Sequence, residues 1–356
     1  MNKIAFITDT HFSARDGSKA FHDYFEKFFK ETFFPYCITH DIKTVVHGGD
    51  FWDKRKFCDF YSLQRVKEYF LNPLRDAGMN MVALLGNHDL YYKTTLQINS
   101  PSLLLEDSYN NIEILNVPIV KEFGNTKILI VPWICAENRN DCFEAIKNTT
   151  ADICFGHFDI IGFEMNKAFV SKSGFDKQMF SKFDMVFSGH YHTRNTHGNI
   201  TYLGSPYQMT HIDQGETRGF HIFDTDTREV EFVKNPEVMF LRYVYDDEMS
   251  EPLDYDISLF KDKFVKIIVN KKNDLYKFDR FIKRIMDKAE AHDIKIIEDV
   301  NSLSHDEMNE EIDIEDTQMI LEHFVNTADV PNSIDKIDVS NYIKHLYIES
   351  INISSN

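Results

Sequence analysis

Short apolar runs alternate with stretches of helical periodicity along the first two thirds of the chain. The apolar runs are typical of buried strands, and they occupy residues 3–8, 44–47, 80–85, 127–131, 152–155, 185–188, 200–203 and 219–223. Residues 20–36 and 59–77 place large apolar side chains at spacings of three and four, which predicts helices with one buried face. Buried strands that alternate with helices predict an α/β sandwich over residues 1–223.

The pattern changes after residue 223. Residues 241–245, 265–269 and 294–297 have strand character and residues 278–292 form an amphipathic helical pattern, so we expect a small α+β domain over residues 224–300. Residues 301–314 are acidic and are typical of a linker. Two short helical patterns then predict a helical segment over residues 315–356. Helices this short need a covering surface, either on the first domain of this chain or on a partner.

Polar side chains stand where five of the predicted strands end. The motifs are Asp9-Thr-His11, Gly49-Asp50, Gly86-Asn87-His88-Asp89, Gly156-His157 and Gly189-His190-Tyr-His192. Because side chains at the carboxyl ends of such strands meet in one crevice, we expect these residues to converge. A single histidine at a strand end is more often an ordinary core or surface residue, but five coinciding motifs favour a site. Oxygen and imidazole donors without cysteine suit Mn²⁺, Fe or Zn²⁺.

Composition limits the partners that this chain can bind. The net charge is −18, and residues 235–356 carry 27 acidic against 14 basic side chains, so a polyanion would bind only at a local basic patch, through bound metal or through a partner. The five cysteines are far apart and predict reduced thiols in a cytoplasm. No apolar run approaches the length of a membrane span, so we expect no membrane insertion.

The five motifs resemble those of the calcineurin-like metallophosphoesterases. Further residues more closely resemble the SbcD-type DNA repair nucleases and, within them, the bacteriophage recombination endonuclease subunits. These residues are Phe12, Asp50-Phe-Trp-Asp53, Trp133, Leu203-Gly-Ser-Pro206 and Arg218-Gly-Phe220. The resemblance implies a two-sheet sandwich flanked by helices, with residues 224–300 as a cap domain that contacts DNA. Many relatives have histidine at the position of Asp53, which leaves the support of His88 open.

The resemblance also implies a role for each site residue. Two divalent metal ions, which we expect to be Mn²⁺, would be bound by two sets of ligands. Asp9, His11 and His192 would hold one ion; Asn87, His157 and His190 would hold the other, with Asp50 between them. His88 would protonate or stabilise the departing oxygen, and Asp89 would orient His88.

The activity that the resemblance implies is metal-dependent hydrolysis of DNA phosphodiesters, as an exonuclease or endonuclease in a recombination or repair complex. Expected partners are double-stranded DNA ends, an SMC-like coiled-coil ATPase docked on residues 315–356, and a second copy of the chain, in the host cytoplasm if a phage encodes it. Candidate DNA contacts are Lys54, Arg55, Lys56, Lys93, Arg194 and Arg218; residues 54–56 are equally consistent with a solvated basic turn. Two alternatives stay open: a phosphodiesterase for small nucleotides or phosphoproteins, and a non-catalytic scaffold.

Overall fold

The computed structural model describes residues 3–166, 169–248 and 252–298, together with single positions at 325, 339, 342, 343 and 346. Met1–Ile296 forms one compact unit and Ile297–Asn356 a second. The predicted linker at 301–314 lies outside the described residues, and so do the terminal helices at 315–327 and 333–351 except at those single positions. Within the part that is described, no helix combines the length and the apolar character needed to cross a membrane.

The strands and helices of the described residues follow in chain order. The strands are β1 Lys3–Ile7, β2 Thr44–His47, β3 Asn80–Leu84, β4 Ile112–Leu115, β5 Ile119–Phe123, β6 Thr126–Val131, β7 Ile153–His157, β8 Glu164–Asn166, β9 Phe169–Val170, β10 Met185–Gly189, β11 Asn195–His197, β12 Ile200–Tyr202, β13 Gly219–Asp224, β14 Val230–Lys234, β15 Phe240–Asp246, β16 Phe264–Lys271 and β17 Asp293–Ile297. The α-helices of five or more residues are α1 Lys19–Phe28, α2 Phe34–Thr39, α3 Phe60–Val66, α4 Asn72–Asp76, α5 Arg139–Asn148 and α6 Leu275–Lys288. A short π-helical segment, Phe29–Phe33, joins α1 to α2, and a second one, Lys67–Leu71, joins α3 to α4.

Two six-stranded mixed sheets form the body of the first unit. The first sheet has the order β14-β13-β1-β2-β3-β4, in which β1 to β4 are parallel and β13 and β14 are antiparallel. The second has the order β11-β12-β10-β7-β6-β5, with a parallel centre and an antiparallel strand at each edge. This architecture confirms the predicted two-sheet sandwich.

The space between the two sheets is filled by aromatic and branched side chains. Phe6 of the first sheet lies at the centre, with its ring 4.8 Å from that of Phe155 and 5.1 Å from that of Phe187 in the second sheet. Separate apolar clusters lie on the two outer faces, under α1 to α4 on one side and under α5 on the other. A sheet that is buried on both faces needs continuous apolar strands, which explains why the central strands were visible in the sequence.

A smaller three-stranded sheet follows, with the order β15-β16-β17 and α6 packed against one face. The ring of Phe281 on α6 lies 5.2 Å from that of Tyr245 on β15. At the start of this sheet the rings of Phe240 and Phe264 lie 6.1 Å and 5.7 Å from that of Phe21 on α1. These contacts attach the small sheet to the helical face of the first sheet.

Candidate metal centre

The predicted site residues meet at the carboxyl ends of parallel strands in the two sheets. The strands are β1, β2 and β3 of the first sheet and β7 and β10 of the second. Histidine and carboxylate donor atoms from these strand ends form three overlapping groups, and within each group the atoms lie within 4.8 Å of one another. The groups are Asp9, His11 and His192; Asp50, His157 and His190; and His11, Asp50 and His88.

The loops after β1 and β2 run side by side and hold these residues in unusual backbone conformations. Backbone hydrogen bonds join the two loops, from Asp9 N to Gly49 O at 3.0 Å and from His11 N to Asp50 O at 3.1 Å. Asp9, His11 and Asp50 all have positive φ, at 52°, 40° and 51°. Such conformations cost about 1–3 kcal/mol each outside glycine, and they persist only where the surrounding structure fixes them. His190 also has positive φ, at 90°, so four of the predicted ligands are held in conformations that cost free energy.

The loop after β3 approaches Asp50 so closely that only glycine fits at its start. A Cβ atom on Gly86 would lie 2.1 Å from Asp50 Oδ1. The same carboxylate oxygen accepts a hydrogen bond of 2.8 Å from the backbone N–H of His88. Asp50 is therefore fixed by the β3 loop while its other oxygen stays directed at the histidines.

One group of donors is built around His11. Its Nε2 lies 3.1 Å from Nε2 of His192 and 3.7 Å from Oδ2 of Asp50. Asp9, which is fully buried, accepts hydrogen bonds from Thr8 Oγ1 at 2.7 Å and from the backbone N–H of His190 at 3.0 Å. The atoms expected to hold the first ion are thus within reach of one another.

The other group is built around His157. Its Nδ1 lies 2.7 Å from the carbonyl oxygen of Gly48, which fixes that nitrogen as the N–H donor. In the neutral ring its Nε2 then presents a lone pair to the site, 3.1 Å from Asn87 Oδ1 and 3.2 Å from Asp50 Oδ2. The ring of His190 lies 5.2 Å from that of His157. Asp50 is therefore close to both groups, as a bridging ligand must be.

The electrostatics of the metal-free centre are strongly perturbed. Burial raises the pKa of Asp9 to about 6, and neighbouring Asp50 adds to the rise. Burial opposes ionisation of Asp50 as well, but the adjacent histidines, His157 first, hold its pKa well below the ordinary value. Burial acts to lower the pKa of His157, yet Asp50 raises it to about 9. Burial and the nearby His11 keep the pKa of His192 well below its ordinary value.

These residues fit a pair of divalent cations. Two imidazole nitrogens that face each other at 3.1 Å cannot both carry a proton, and a shared ion satisfies both lone pairs. The two buried carboxylates, Asp9 and Asp50, lie close enough for each negative charge to disfavour ionisation of the other. Bound cations would offset this repulsion. The donors are oxygen and imidazole nitrogen, as hard or borderline metals require.

His88 is supported by the backbone of Asp53. Its Nδ1 lies 2.8 Å from the backbone carbonyl of Asp53, and its side chain is almost fully buried. The Asp53 carboxylate lies 3.3 Å from Nδ1 of His11. Asp53 therefore contacts two site histidines, His88 through its backbone and His11 through its side chain.

Asp89 acts on the loops rather than on the His88 ring. Its Oδ1 accepts hydrogen bonds from the backbone N–H groups of Phe51 at 3.0 Å and Trp52 at 3.1 Å, and its Oδ2 accepts one of 2.9 Å from Gly86. Asp89 therefore joins the β2 loop to the β3 loop. The expected orientation of His88 by Asp89 would be indirect, through the backbone of these loops.

The candidate DNA contacts occupy different environments. Lys54 forms an ion pair with Asp16, and Lys56, Lys93 and Arg194 are exposed. Arg55 is partly buried. Arg218 is 4% exposed. Its guanidinium contacts Asp213, Glu216, Ser205 and the carbonyl oxygen of His192. The expectation that Arg218 contacts DNA is therefore wrong, because a buried guanidinium with these partners is not available to DNA.

Several supporting groups had no signal in the sequence. The carbonyl oxygens of Gly48 and Asp53 fix His157 and His88, and a backbone acceptor can belong to any residue type. Trp133 was visible as a motif, but only the structure places its ring, 5.1 Å from that of His190 and 5.9 Å from that of His157. It forms an aromatic wall beside the second donor group.

The fold and the donor set define an α/β phosphoesterase with a histidine- and carboxylate-rich metal centre. Residues 2–194 match the family model described as calcineurin-like phosphoesterase, and this chain belongs to that family. The match spans all five strand-end motifs. It confirms the resemblance that those motifs carried.

One curated relative is similar over most of both chains. Exonuclease subunit 1 of Enterobacteria phage T4 is 28% identical over 316 residues, which cover 88% of this chain and 90% of that protein. Among solved structures, an archaeal phosphodiesterase is 16% identical, with a TM-score of 0.35 over 65% of this chain and 99% of that one. The purple acid phosphatase PPD1 of yellow lupin is 12% identical, with a TM-score of 0.35 over 66% of this chain and 46% of that one.

Proposed function

We propose that this chain is a two-metal DNA phosphodiesterase, the nuclease subunit of a recombination or repair complex. The observation that carries the proposal is the pair of donor groups that meet at Asp50, with His88 beside them. The similarity to a phage exonuclease subunit over nearly the whole chain supports DNA as the substrate class. Asp9, His11 and His192 would hold one ion, and Asn87, His157 and His190 the other.

When bound, two divalent cations neutralise phosphate charge and lower the pKa of an attacking water. The remaining chemistry belongs to side chains of this protein. Asp50 would set the spacing of the two ions, because it is within reach of both donor groups. His88 would donate a proton from Nε2 to the departing sugar oxygen, while its Nδ1–H stays hydrogen-bonded to the carbonyl oxygen of Asp53.

A local basic surface would compensate for the acidic character of the chain. Residues 54–56 follow directly after the Asp50 loop, and Lys93 follows the His88 loop, so these cations would lie near the centre. Arg194 is exposed, with its guanidinium 4.1 Å from the centre of the Phe232 ring. We propose that these residues contact DNA phosphates, with Mn²⁺ as the metal.

The partners and domain roles are part of the same proposal. Residues 1–223, together with β14 of the same sheet, would be the nuclease domain and the rest of residues 224–300 a cap that contacts DNA. Residues 315–356 would dock an SMC-like coiled-coil ATPase after the acidic linker at 301–314. A homodimer would act on double-stranded DNA ends in the cytoplasm, which is the host cytoplasm if a phage encodes the chain. A chain ending at residue 300 should keep Mn²⁺-dependent hydrolysis of a small diester and no longer co-purify with the ATPase. Undiminished co-purification would refute the docking role.

The central experiment compares two substrates on one preparation. Purified protein with Mn²⁺ should degrade linear duplex DNA and should also hydrolyse bis(p-nitrophenyl) phosphate, and both activities should be lost with EDTA. Asp50→Ala is the matched inactive control, because it removes the carboxylate that both donor groups share. Hydrolysis of the dye without DNA degradation would favour the alternative of a phosphodiesterase for small nucleotides. Loss of neither activity in Asp50→Ala would refute the two-metal assignment.

A further inference from the structure

Two exposed tyrosines stand immediately beyond His88. Tyr91 is 36% exposed and Tyr92 48%, although both are large aromatic side chains that usually favour burial. Their rings contact each other edge to face, with centroids 4.7 Å apart and planes inclined at 74°. This pair, Tyr91 and Tyr92, is called the tyrosine pair below.

The loop that carries the tyrosine pair is held firmly at several points. Leu90 pairs with Asn99 in an isolated bridge, and the backbone N–H of Tyr91 donates a hydrogen bond of 2.9 Å to the carbonyl of Ile98. Further along the loop, Glu137 accepts hydrogen bonds from the Leu96 N–H at 2.8 Å and from Gln97 Nε2 at 2.8 Å. Rings presented from such a fixed backbone have little conformational entropy to lose on binding.

The neighbourhood of the pair is cationic. Lys56 places its ammonium 5.2 Å from the centre of the Tyr91 ring, and Lys93 follows the pair in the chain. Lys56 is three residues after Asp53, whose carbonyl oxygen holds the His88 ring. The pair and its lysine are therefore attached to the two loops that build the catalytic centre. Basic side chains interleaved with exposed aromatic rings are the usual composition of a surface that binds single-stranded nucleic acid.

We propose that the tyrosine pair is a stacking platform for an unpaired nucleobase of the DNA strand that enters the metal centre. The ring faces would stack on the base, and Lys56 would contact an adjacent phosphate. This inference rests on the proposed DNA substrate and narrows it, because it predicts tighter binding of frayed or single-stranded ends than of fully paired ends. Net charge supports a nucleic acid over a protein partner, since this patch is basic on a chain whose net charge is −18.

The test separates ring faces from hydroxyl groups. Tyr91→Ala/Tyr92→Ala removes the rings, and Tyr91→Phe/Tyr92→Phe is the matched control that keeps them. Fluorescence anisotropy in EDTA should follow binding of a labelled single-stranded oligonucleotide and of the same strand in a blunt duplex. Loss of base stacking should weaken single-strand binding by about 5- to 150-fold in the alanine variant. The phenylalanine variant should stay within about twofold of the wild type.

Two further measurements keep the outcome decisive. Hydrolysis of bis(p-nitrophenyl) phosphate with Mn²⁺ should be the same in both variants, which would show that the centre is intact. Wild-type degradation of DNA is assayed separately, so its failure would count against the proposed function and not against the platform. Unchanged single-strand affinity in the alanine variant, or an equal loss on blunt duplex, would overturn the platform. Equal weakening in the phenylalanine variant would overturn it too, because it would assign binding to the hydroxyl groups.

Discussion

Replacing Arg218 distinguishes between a surface contact with DNA and a buried support for the metal centre. The guanidinium is 2.5 Å from Asp213 Oδ1, 2.8 Å from Glu216 Oε2 and 2.8 Å from Ser205 Oγ. It also donates to the carbonyl oxygen of His192, a predicted metal ligand. Arg218→Met would leave two carboxylates in a protected site without their cation.

The expected cost follows from this burial. Breaking a buried ion pair by removing one partner costs about 3–5 kcal/mol, because the remaining charge stays desolvated. A typical domain has a free energy of unfolding of about 5–15 kcal/mol, so Arg218→Met should remain folded but be clearly weakened. Arg218→Lys should lose less, because an ammonium keeps the charge but cannot reach all four acceptors of the planar guanidinium. The His192 loop should shift in both variants.

The assay combines urea unfolding with dye hydrolysis and DNA binding. Urea unfolding in EDTA, followed by far-UV circular dichroism, should show that Arg218→Met lowers the free energy of unfolding by about 3–5 kcal/mol. Dye hydrolysis with Mn²⁺ should fall because His192 is displaced. Arg194→Met is the control, since Arg194 is exposed and should affect only DNA binding. If Arg218→Met kept its stability within about 1 kcal/mol and instead reduced the salt dependence of DNA binding, the expected surface contact would be right and the buried-support argument wrong.

Three further predictions follow from the same structure. His88→Asn should keep both metal equivalents in calorimetry while turnover falls about 10²- to 10⁴-fold; loss of one equivalent would make His88 a ligand, as its position beside His11 and Asp50 also allows. Replacing residues 54–56 together by alanine should reduce the slope of log K for DNA binding against log salt concentration by about 0.9 per lost phosphate contact, with dye hydrolysis unchanged. An unchanged slope would mean that these residues form a solvated turn and do not contact DNA. Burial lowers the pKa of His221 from 6.5 to about 3, so its contribution to stability is complete above pH 6.5 and is lost as the pH falls towards 3; between pH 8 and pH 5 this loss is about 2 kcal/mol. Over the same pH interval, urea unfolding should show that the free energy of unfolding of His221→Phe falls by about 2 kcal/mol less than that of the wild type. An equal fall in both proteins would contradict the assignment.

The sequence by itself determined the sandwich and the residues of its central site. The central strands are apolar on both faces, because the sheets are covered on both sides, and such runs are visible without any long-range information. The bounds of β2 agree with the prediction, and those of β1, β7 and β10 differ by one or two residues. The four edge strands of the two large sheets, β4, β5, β11 and β14, were missed, since exposed edge strands mix polar and apolar residues. Helix α5 was missed as well, because its sequence is largely polar.

The tertiary structure alone decided which groups support the site and which residues reach the surface. Arg218 could not be assigned from sequence, because an arginine is exposed or buried according to whether carboxylates from the surrounding chain meet it, as Asp213 does here. The carbonyl oxygens that orient His88 and His157 belong to Asp53 and Gly48, and every residue has such an oxygen. Chemically distinctive side chains can be recognised along the chain, whereas backbone acceptors and burial arise only when distant segments fold against each other.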